Sequence, residues 1–254
     1  MRSIKRYAKG FYMSLGMYCA IPLPRLIWDD SCTNLMLPCL PLVGAIIGAL
    51  WWGAAKILLL LGIHPMLTAA IVAMLPFFLT GFLHLDGYMD TSDAVLSRCP
   101  LEDKLRILKD PHTGAFAVIM VAALFLTQFA AVYALVDRAG QFKLLIAVAV
   151  LSRCCSSISI LALPAMAQSG YANLYKANSG LRHQFFTLAV AAVTITLSIL
   201  FSGIAGLVVA VAVILGFVGA MAYAYKEFGG VSGDLAGYAL VVGELCGLVA
   251  LAII

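Results

Sequence analysis

Charged residues are scarce in this chain of 254 residues and make up only 11% of it. Hydrophobic residues account for 63%, and the mean hydropathy is +1.04, far above what a soluble domain needs to fill its core. The sequence also lacks the period-2 alternation of membrane β-strands, whereas several apolar runs exceed the roughly 18 residues that indicate a membrane-spanning helix. The composition therefore excludes an ordinary soluble domain and predicts an all-α, polytopic helical bundle in the lipid bilayer.

Cysteine is present without a pattern that would give it a chemical role. The seven cysteines are odd in number and include no C-x-x-C spacing. A disulfide framework or a zinc site therefore has little support, and we expect the cysteines to be small apolar packing residues. A convincing cleavage site is also missing after the apolar run 11–21, so no removable signal peptide is predicted. No nucleic-acid partner is expected.

The apolar runs divide residues 1–254 into about seven transmembrane helices of a single domain. The predicted spans are 37–63, 66–82, 115–136, 144–163, 235–254 and two helices within 185–225 that join near 202–206. Before them, basic and apolar residues alternate over 2–12 and lead into 13–21, which predicts a short amphipathic or re-entrant helix. The loop 164–184 is either a substrate contact or a plain connector.

Basic residues are distributed unevenly about these spans, and this predicts the orientation. With the N-terminus inside, twelve of the sixteen Lys and Arg residues fall on the cytoplasmic side: Arg2, Lys5, Arg6, Lys9, Arg25, Arg98, Lys104, Arg106, Lys109, Lys176, Arg182 and Lys226. The same topology brings the stretch 80–114 and the loops 164–184 and 226–234 to that side. We therefore predict one site, built from all three segments, that opens to the cytoplasm.

Half of the twelve acidic residues lie in the stretch Thr80–Gly114. Asp86, Asp90 and Asp93 are spaced i, i+4, i+7, so a helix presents all three carboxylates on one face. Like charges at this spacing repel one another unless a bound cation reverses the sign of the interaction. Carboxylates are hard oxygen donors, and no Cys or second His stands at ligand spacing, so the pattern predicts Mg²⁺, or alternatively Mn²⁺, rather than Zn²⁺.

Basic side chains follow the three aspartates in the same stretch: Arg98, Lys104, Arg106, Lys109 and His112. Carboxylates that bind a cation beside basic groups that bind phosphate oxygens are typical of a metal–diphosphate site, so we predict phosphoryl transfer. The alternative is a solvated loop whose charges only set the topology, and we favour it for 102–106. Lys109 and Asp110 are either functional or a helix end.

Two further charges, Arg153 and Glu244, fall inside predicted spans. A charge at the centre of a bilayer costs at least about 2.5 kcal/mol unless it is paired or lines a cavity. We therefore predict that the two side chains lie close together or share a ligand.

Residues 79–93 read LTGFLHLDGYMDTSD, which resembles the signature TGG-hydrophobic-HxDGxxDTxDG of the cobalamin synthase (adenosylcobinamide-GDP ribazoletransferase) family. Five further motifs match in order. IPLPR at 21–25 resembles the family's LPVPR, LPLVG at 40–44 its FPLVG, LKD at 108–110 with Gly114 its MKDSRxGT, LSR at 151–153 its LSR, and GGVSGD at 229–234 with Gly243-Glu244 its GGxTGD…E. Together the matches extend from about residue 11 to the C-terminal end.

The resemblance implies transfer of the cobinamide phosphoryl group from adenosylcobinamide-GDP to α-ribazole or its 5′-phosphate, with release of GMP, in a prokaryotic cytoplasmic membrane. A homo-oligomer is compatible with it. The implied catalytic residues are Asp86, Asp90, Asp93 and Asp110, of which the first three hold the metal. The implied substrate-binding residues are His84, Gly87, Lys109, His112, Arg153, Asp234 and Glu244.

The chain departs from the family pattern in three motif elements, at four positions. Phe82 stands where TGG has its second Gly, Ala94 replaces the Gly after the third Asp, and Pro111-His112 replaces Ser-Arg. The last departure bears on chemistry, because Arg offers a bidentate fork to phosphate and His does not. It indicates an altered substrate contact or a divergent paralogue.

Two other functions compete with this interpretation. A CDP-alcohol phosphatidyltransferase-like lipid enzyme shares the metal and the diphosphate, but its D-x-x-D-G-x-x-A-R pattern is absent, since Asp93 is followed by Ala-Val-Leu-Ser. An ion-coupled transporter would place charges at mid-membrane in several helices, whereas nearly all the acids here fall at the predicted cytoplasmic ends.

Overall fold

The computed structural model describes residues 2–166, 169–176 and 179–254. Its helices are α1 (Arg2–Tyr18), α2 (Met36–Leu60), α3 (Pro65–Leu79), α4 (Leu83–Leu96), α5 (Leu101–Ile107), α6 (Ala115–Leu135), α7 (Leu145–Ala162), α8 (Gly170–Lys176), α9 (Leu181–Ser202), α10 (Ile204–Phe228) and α11 (Gly233–Ile253). Two 3₁₀ segments, Asp30–Leu35 and Val136–Leu144, precede α2 and α7. The described residues contain no β-strand, so the predicted all-α class is confirmed.

Seven helices lie where the sequence predicts spans: α2, α3, α6, α7, α9, α10 and α11. By length and apolar character, the described residues contain five membrane-spanning stretches, or six if α3 and α4 form one bent span. One of the five, Ala115–Ala162, has 48 residues. At 1.5 Å per residue it would extend about 72 Å, more than twice a bilayer core of about 30 Å. Because Arg138 leaves helical geometry there (φ −116°, ψ 47°), α6 and α7 count as separate crossings, and the predicted number of about seven is a fair approximation.

The turn between α3 and α4 redirects the chain by 92°. Gly81 and Phe82 both adopt left-handed backbone geometry in this turn, with φ of 59° and 63°. Glycine adopts that conformation freely, whereas a side chain there costs about 1–2 kcal/mol. The double glycine of the TGG motif thus has a backbone reason, and Phe82 bears the strain while its ring packs edge-on against Phe78 at 5.1 Å.

Close contacts at glycine residues hold neighbouring helices of the bundle together. Gly48 of α2 lies against α7, where a Cβ would be 2.6 Å from the Cα atom of Ile146. Gly216 of α10 lies against α11, where a Cβ would be 2.7 Å from Sγ of Cys246. These glycines let backbones approach where larger side chains would hold them apart, as is usual in membrane bundles.

The three segments predicted to build one site do meet at the same end of the bundle. Lys104 of α5 forms an ion pair with Glu227 at the end of α10. The chain before α8 pairs with the loop before α11, because the Met166 N–H donates to the Val231 carbonyl at 3.0 Å. Contacts therefore link 80–114, the described part of 164–184 and 226–234, which confirms the predicted convergence.

Structure also appears where the sequence predicted only loops. The polar run 29–34 largely forms the 3₁₀ segment, whose Asp29 caps the first turn and accepts from Lys9 of α1 at 2.5 Å. α1 is one continuous helix packed on α2, consistent with the amphipathic prediction. The predicted loop 164–184 contains α8 and the start of α9, and its residues 167–168 and 177–178 lie outside the described part.

Candidate active site

Four carboxylates form what we call the acid cluster: Asp86, Asp90, Asp93 and Asp234. The first three lie on α4, as the i, i+4, i+7 spacing predicts, with Asp86 exposed and the other two half-buried. The charges that act on Asp90 are those of Asp86, Asp234 and Asp93, and all are negative. None of the ion pairs among the described residues includes one of these four groups. Their mutual repulsion is therefore left without a compensating protein cation.

Asp234 reaches the cluster because α11 begins directly against α4. A Cβ on Gly87 would lie 2.7 Å from the Asp234 carbonyl oxygen, so only glycine permits this approach. Ser232 caps α11 by accepting from the Leu235 N–H at 3.2 Å, which fixes the first turn that carries Asp234. The structure thus gives Gly87, predicted to bind substrate, a packing role between two acid-bearing helices.

Asp93 lies against the first turn of α6. Its Oδ1 is 3.4 Å from the Ala117 N–H, and a Cβ on Gly114 would lie 1.9 Å from its Oδ2. A carboxylate in this position caps free N–H groups and faces the positive end of the helix dipole. This contact was not predicted from the sequence, although the Gly114 that follows LKD in the motif was the signal for it.

The acid cluster offers carboxylate oxygens, which are the type of ligand that Mg²⁺ prefers. Among the described residues, no group of three or more His, Cys, Asp or Glu side chains is close enough to hold a metal ion. The negative charges of the carboxylates act on one another, but the carboxylate oxygens do not form a closed coordination shell. Mg²⁺ usually keeps several waters and binds through one or two carboxylates plus substrate phosphates, so these hard oxygen donors fit it without such a shell.

Arg153 and Glu244 form a buried ion pair between α7 and α11. Arg153 Nη1 lies 2.6 Å from Glu244 Oε1, and the two side chains are 1% and 7% exposed. Ser152 Oγ donates to the same carboxylate at 2.9 Å, and Arg153 also donates to the Ala149 carbonyl at 3.0 Å. Gly44 of α2 makes room for the arginine, because a Cβ there would lie 2.8 Å from Arg153 Cδ. The prediction that these two charges lie close together is confirmed.

A cavity of about 290 Å³, here called the inner cavity, opens beside α4 and is walled by α1, α2, α7 and α11. Its described lining is largely apolar and includes a few polar groups. The lining residues are Met17, Tyr18, Leu40, Leu83, His84, Leu105, Leu108, Lys109, Ser156, Ile160, Met166, Ser169, Gly170, Ser232, Gly233, Asp234, Ala236 and Gly237. Three of the predicted site residues, His84, Lys109 and Asp234, are thereby brought together. Tyr18 and Ser156 belong to the lining and carried no recognisable sequence signal.

Asp110 and His112 stand apart from both the acid cluster and the inner cavity. Asp110 Oδ1 accepts from the His112 backbone N–H at 2.9 Å and lies 2.7 Å from its Nδ1. The backbone hydrogen bond first, and then the side-chain one, hold the pKa of Asp110 below its usual value. The structure does not bring this predicted catalytic residue next to the aspartates of α4.

Comparison of the sequence with known proteins assigns the chain to a family. The family model described as cobalamin-5-phosphate synthase matches residues 10–252. The chain belongs to that family. It is 37% identical over 252 residues to the adenosylcobinamide-GDP ribazoletransferase of Clostridium botulinum, covering 96% of this chain and 97% of that protein. The protein of the same name from Clostridium perfringens is also 37% identical over 252 residues, covering 99% and 100%.

More distant members of the cobalamin-5-phosphate synthase family also match end to end. The adenosylcobinamide-GDP ribazoletransferase of Geobacillus thermodenitrificans is 31% identical over 241 residues, covering 92% of each chain. No solved structure matches the chain. The resemblance inferred from six ordered motifs is thus confirmed at the level of the family.

Proposed function

We propose that the protein is an adenosylcobinamide-GDP ribazoletransferase. It transfers the cobinamide phosphoryl group from adenosylcobinamide-GDP to α-ribazole or its 5′-phosphate and releases GMP, which is the last assembly step of cobalamin biosynthesis. The observation that carries the proposal is the acid cluster, in which like charges meet at one end of an apolar bundle and no cation of the described residues is paired to them. Such a cluster suits a substrate that arrives as a metal–diphosphate.

Asp86, Asp90 and Asp93 are proposed to hold Mg²⁺, or alternatively Mn²⁺, together with the diphosphate of the donor. A bound divalent ion would supply the positive charge that the cluster lacks and neutralise charge on the phosphate oxygens. Asp93 is held in place by the first turn of α6, so its carboxylate is oriented before substrate binds. This orientation favours catalysis because it is established during folding.

The transfer makes one bond to phosphorus and breaks another. A ribose hydroxyl oxygen of the acceptor forms a P–O bond to the phosphorus attached to cobinamide, and the bond from that phosphorus to the oxygen of GMP breaks. The hydroxyl proton passes to a carboxylate of the site. Asp110 stands apart from the acid cluster, so its proposed catalytic role is to meet, as an ionised carboxylate, the part of the substrate that extends beyond the cluster. The protein mainly positions the groups and stabilises the charge that develops.

The remaining residues divide into two groups by their surroundings. His84, Lys109 and Asp234 line the inner cavity and are proposed to contact substrate directly. Arg153 and Glu244 neutralise each other inside the bundle, so we propose that they position α7 and α11 around the site. Gly87 supports the same geometry, and exposed His112 is proposed to reach the donor phosphates only from the rim.

We further propose that the protein lies in the cytoplasmic membrane of a prokaryote with the acid cluster toward the cytoplasm. The excess of Lys and Arg among the segments at that end supports this orientation. Nucleotide-activated substrates and Mg²⁺ are both available on that side.

One assay tests the proposal. Purified full-length protein in detergent receives Mg²⁺, adenosylcobinamide-GDP and α-ribazole, and GMP and the corrinoid product are separated by chromatography. We expect GMP and the new corrinoid in equal amounts, and neither after chelation of Mg²⁺ or omission of α-ribazole. Release of GMP without any acceptor, or transfer to a lipid alcohol in place of α-ribazole, would contradict the proposal.

A further inference from the structure

One residue that lines the inner cavity carries a buried polar atom that no described residue satisfies. His84 is only 7% exposed, and its Nε2 has no hydrogen-bond partner among the described residues. An unsatisfied buried polar group costs about 1–3 kcal/mol, so such atoms usually meet a ligand or a water. Because His84 lines the cavity, a molecule bound there lies against the side chain that carries this nitrogen.

The walls around His84 suit a flat, uncharged ring. The rings of His84 and Tyr18 are nearly parallel, inclined by 13°, with centroids 6.5 Å apart. This separation lies within the range of about 4.5–7 Å for aromatic pairs, so the two rings form one face of the cavity wall against which a flat ring can pack. Leu40 and Ile160 complete an apolar floor, and no Lys, Arg, Asp or Glu lies among the described floor residues.

The two charged side chains of the described lining, Lys109 and Asp234, are both exposed and so mark the mouth of the cavity. Asp234 also belongs to the acid cluster, because its charge acts on Asp90. Among the described residues, it is the one carboxylate that borders both the cavity and the cluster. A ligand whose ring enters the cavity therefore leaves its polar end beside the proposed metal–diphosphate.

We propose that the inner cavity binds the aromatic base of the acceptor, a neutral aromatic N-riboside, with its ribose toward Asp234. The assignment rests on the proposed function for the identity of the acceptor. At about 290 Å³ the cavity lies at the lower end of small-molecule pockets, which span about 300–1,000 Å³. This size suits one nucleoside and excludes the corrinoid donor, which must lie outside on the acid cluster. His84 is then a specificity residue that hydrogen-bonds the base.

Two variants test the assignment, each assayed by release of GMP with α-ribazole varied at fixed adenosylcobinamide-GDP. His84→Phe keeps a ring and removes the nitrogens, and we expect the KM for α-ribazole to rise about tenfold, the effect of one lost hydrogen bond, with little change in kcat. Ser156→Leu fills the cavity from α7 and should raise the same KM more strongly. The KM for adenosylcobinamide-GDP should stay within about twofold in both variants.

The matched control is His183→Phe. His183 is also buried with an unpartnered Nε2, but it lies outside the described lining of the cavity, so the KM for α-ribazole should not change. Free benzimidazole should compete with α-ribazole in the wild-type protein, and ribose 5-phosphate should not. If His84→Phe does not fold, Ser156→Leu and the competition experiment decide.

Failure of the cavity assignment can be distinguished from failure of the proposed function. An unchanged KM for α-ribazole in folded Ser156→Leu, or competition by ribose 5-phosphate but not by benzimidazole, overturns the cavity assignment while wild-type turnover leaves the proposed function intact. If wild-type protein never releases GMP, equilibrium binding of radiolabelled α-ribazole still tests the cavity. Binding that His84→Phe weakens about tenfold supports the assignment, and equal binding by both proteins overturns it.

Discussion

Arg153 and Glu244 meet 2.6 Å apart in the interior of the bundle, with nearly all of both side chains removed from solvent. Each charge would be costly alone, because burial removes its hydration and leaves only the partner to compensate. The pair therefore joins α7 to α11 in a way that depends on both members. It also leaves neither charge available to a ligand unless the pair opens.

This pairing predicts a strongly non-additive double-mutant cycle. Arg153→Met or Glu244→Leu alone should lower stability by about 3–5 kcal/mol, because each leaves an unpaired buried charge. The double variant should recover part of the loss and give a coupling energy above about 1 kcal/mol. Unfolding in detergent micelles measures all four proteins. The half-buried pair Lys9–Asp29 is the control and should couple less, whereas additive losses at Arg153 and Glu244 would mean separate roles.

The aspartates of α4 are expected to be essential for turnover. Asp86→Asn, Asp90→Asn and Asp93→Asn should each abolish activity, with a loss of at least about 100-fold, because an amide cannot replace a charged metal ligand. Asn at 93 keeps an oxygen that can face the Ala117 N–H, so the fold should persist. Asp103→Asn, which removes an exposed partner of Arg106 outside the cluster, should leave activity near normal. Near-normal turnover of all three α4 variants at saturating Mg²⁺ would refute the metal assignment.

Gly114 is expected to act through Asp93. A Cβ at 114 would lie 1.9 Å from Asp93 Oδ2, so Gly114→Ala must displace that carboxylate. Activity should fall nearly as far as in Asp93→Asn, although residue 114 carries no reactive group. Gly219→Ala is the control, because a Cβ there meets nothing within 4 Å. Equal GMP release by both alanine variants would show that the position of Asp93 is unimportant.

The left-handed backbone at Phe82 predicts that glycine is more stable than alanine at this position, which is the reverse of their order inside a helix. Because its φ is 63°, Phe82→Gly should be more stable than Phe82→Ala by about 1 kcal/mol, while both lose the same contact with Phe78. At Gly219, inside α10, alanine should instead be the more stable residue. Thermal unfolding in detergent compares the two positions, and a more stable alanine at 82 would contradict the strain argument.

The orientation of the bundle can be tested by labelling single cysteines in a Cys-free variant. Glu102→Cys lies at the end with the acid cluster, and Gly140→Cys lies in the segment between α6 and α7. Both positions are exposed. An impermeant thiol reagent should label position 140 in intact cells and position 102 only after the membrane is opened. The opposite pattern would place the active site outside the cytoplasm.

Several features followed from the sequence because they depend on local chemistry. Apolar runs located α2, α6, α7 and α11 to within a few residues, since the bilayer sets the length of a span. The break between α9 and α10 falls at Gly203, inside the predicted joint 202–206. The pairing of Arg153 with Glu244 was predictable from the free energy needed to bury a charge, because two buried charges of opposite sign compensate each other most simply by contact.

Other features depend on how the helices meet, and local sequence does not encode that. The contact of Asp93 with α6 joins residues 24 positions apart and requires the turn at Gly81 and Phe82 to aim α4 across the bundle. The inner cavity is likewise a gap among seven helices, and Tyr18 reaches it only because α1 packs there. The sequence supplied the acids, while their common field with Asp234 came from the close approach at Gly87.

Because Gly44 leaves space for Arg153, the residue tolerated at position 44 depends on α7, which is distant in sequence. A larger residue at 44 would meet the Ala149 carbonyl oxygen 2.6 Å from its Cβ and Arg153 Cδ at 2.8 Å, so it would push α7 away from α2 and disturb the ion pair from a helix that carries neither charge. A shorter side chain at 153 would relieve only the second contact and leave the backbone contact at Ala149, so it should restore function only in part. Suppressors of a Gly44 variant should accordingly map to α7, far from the original change in the gene.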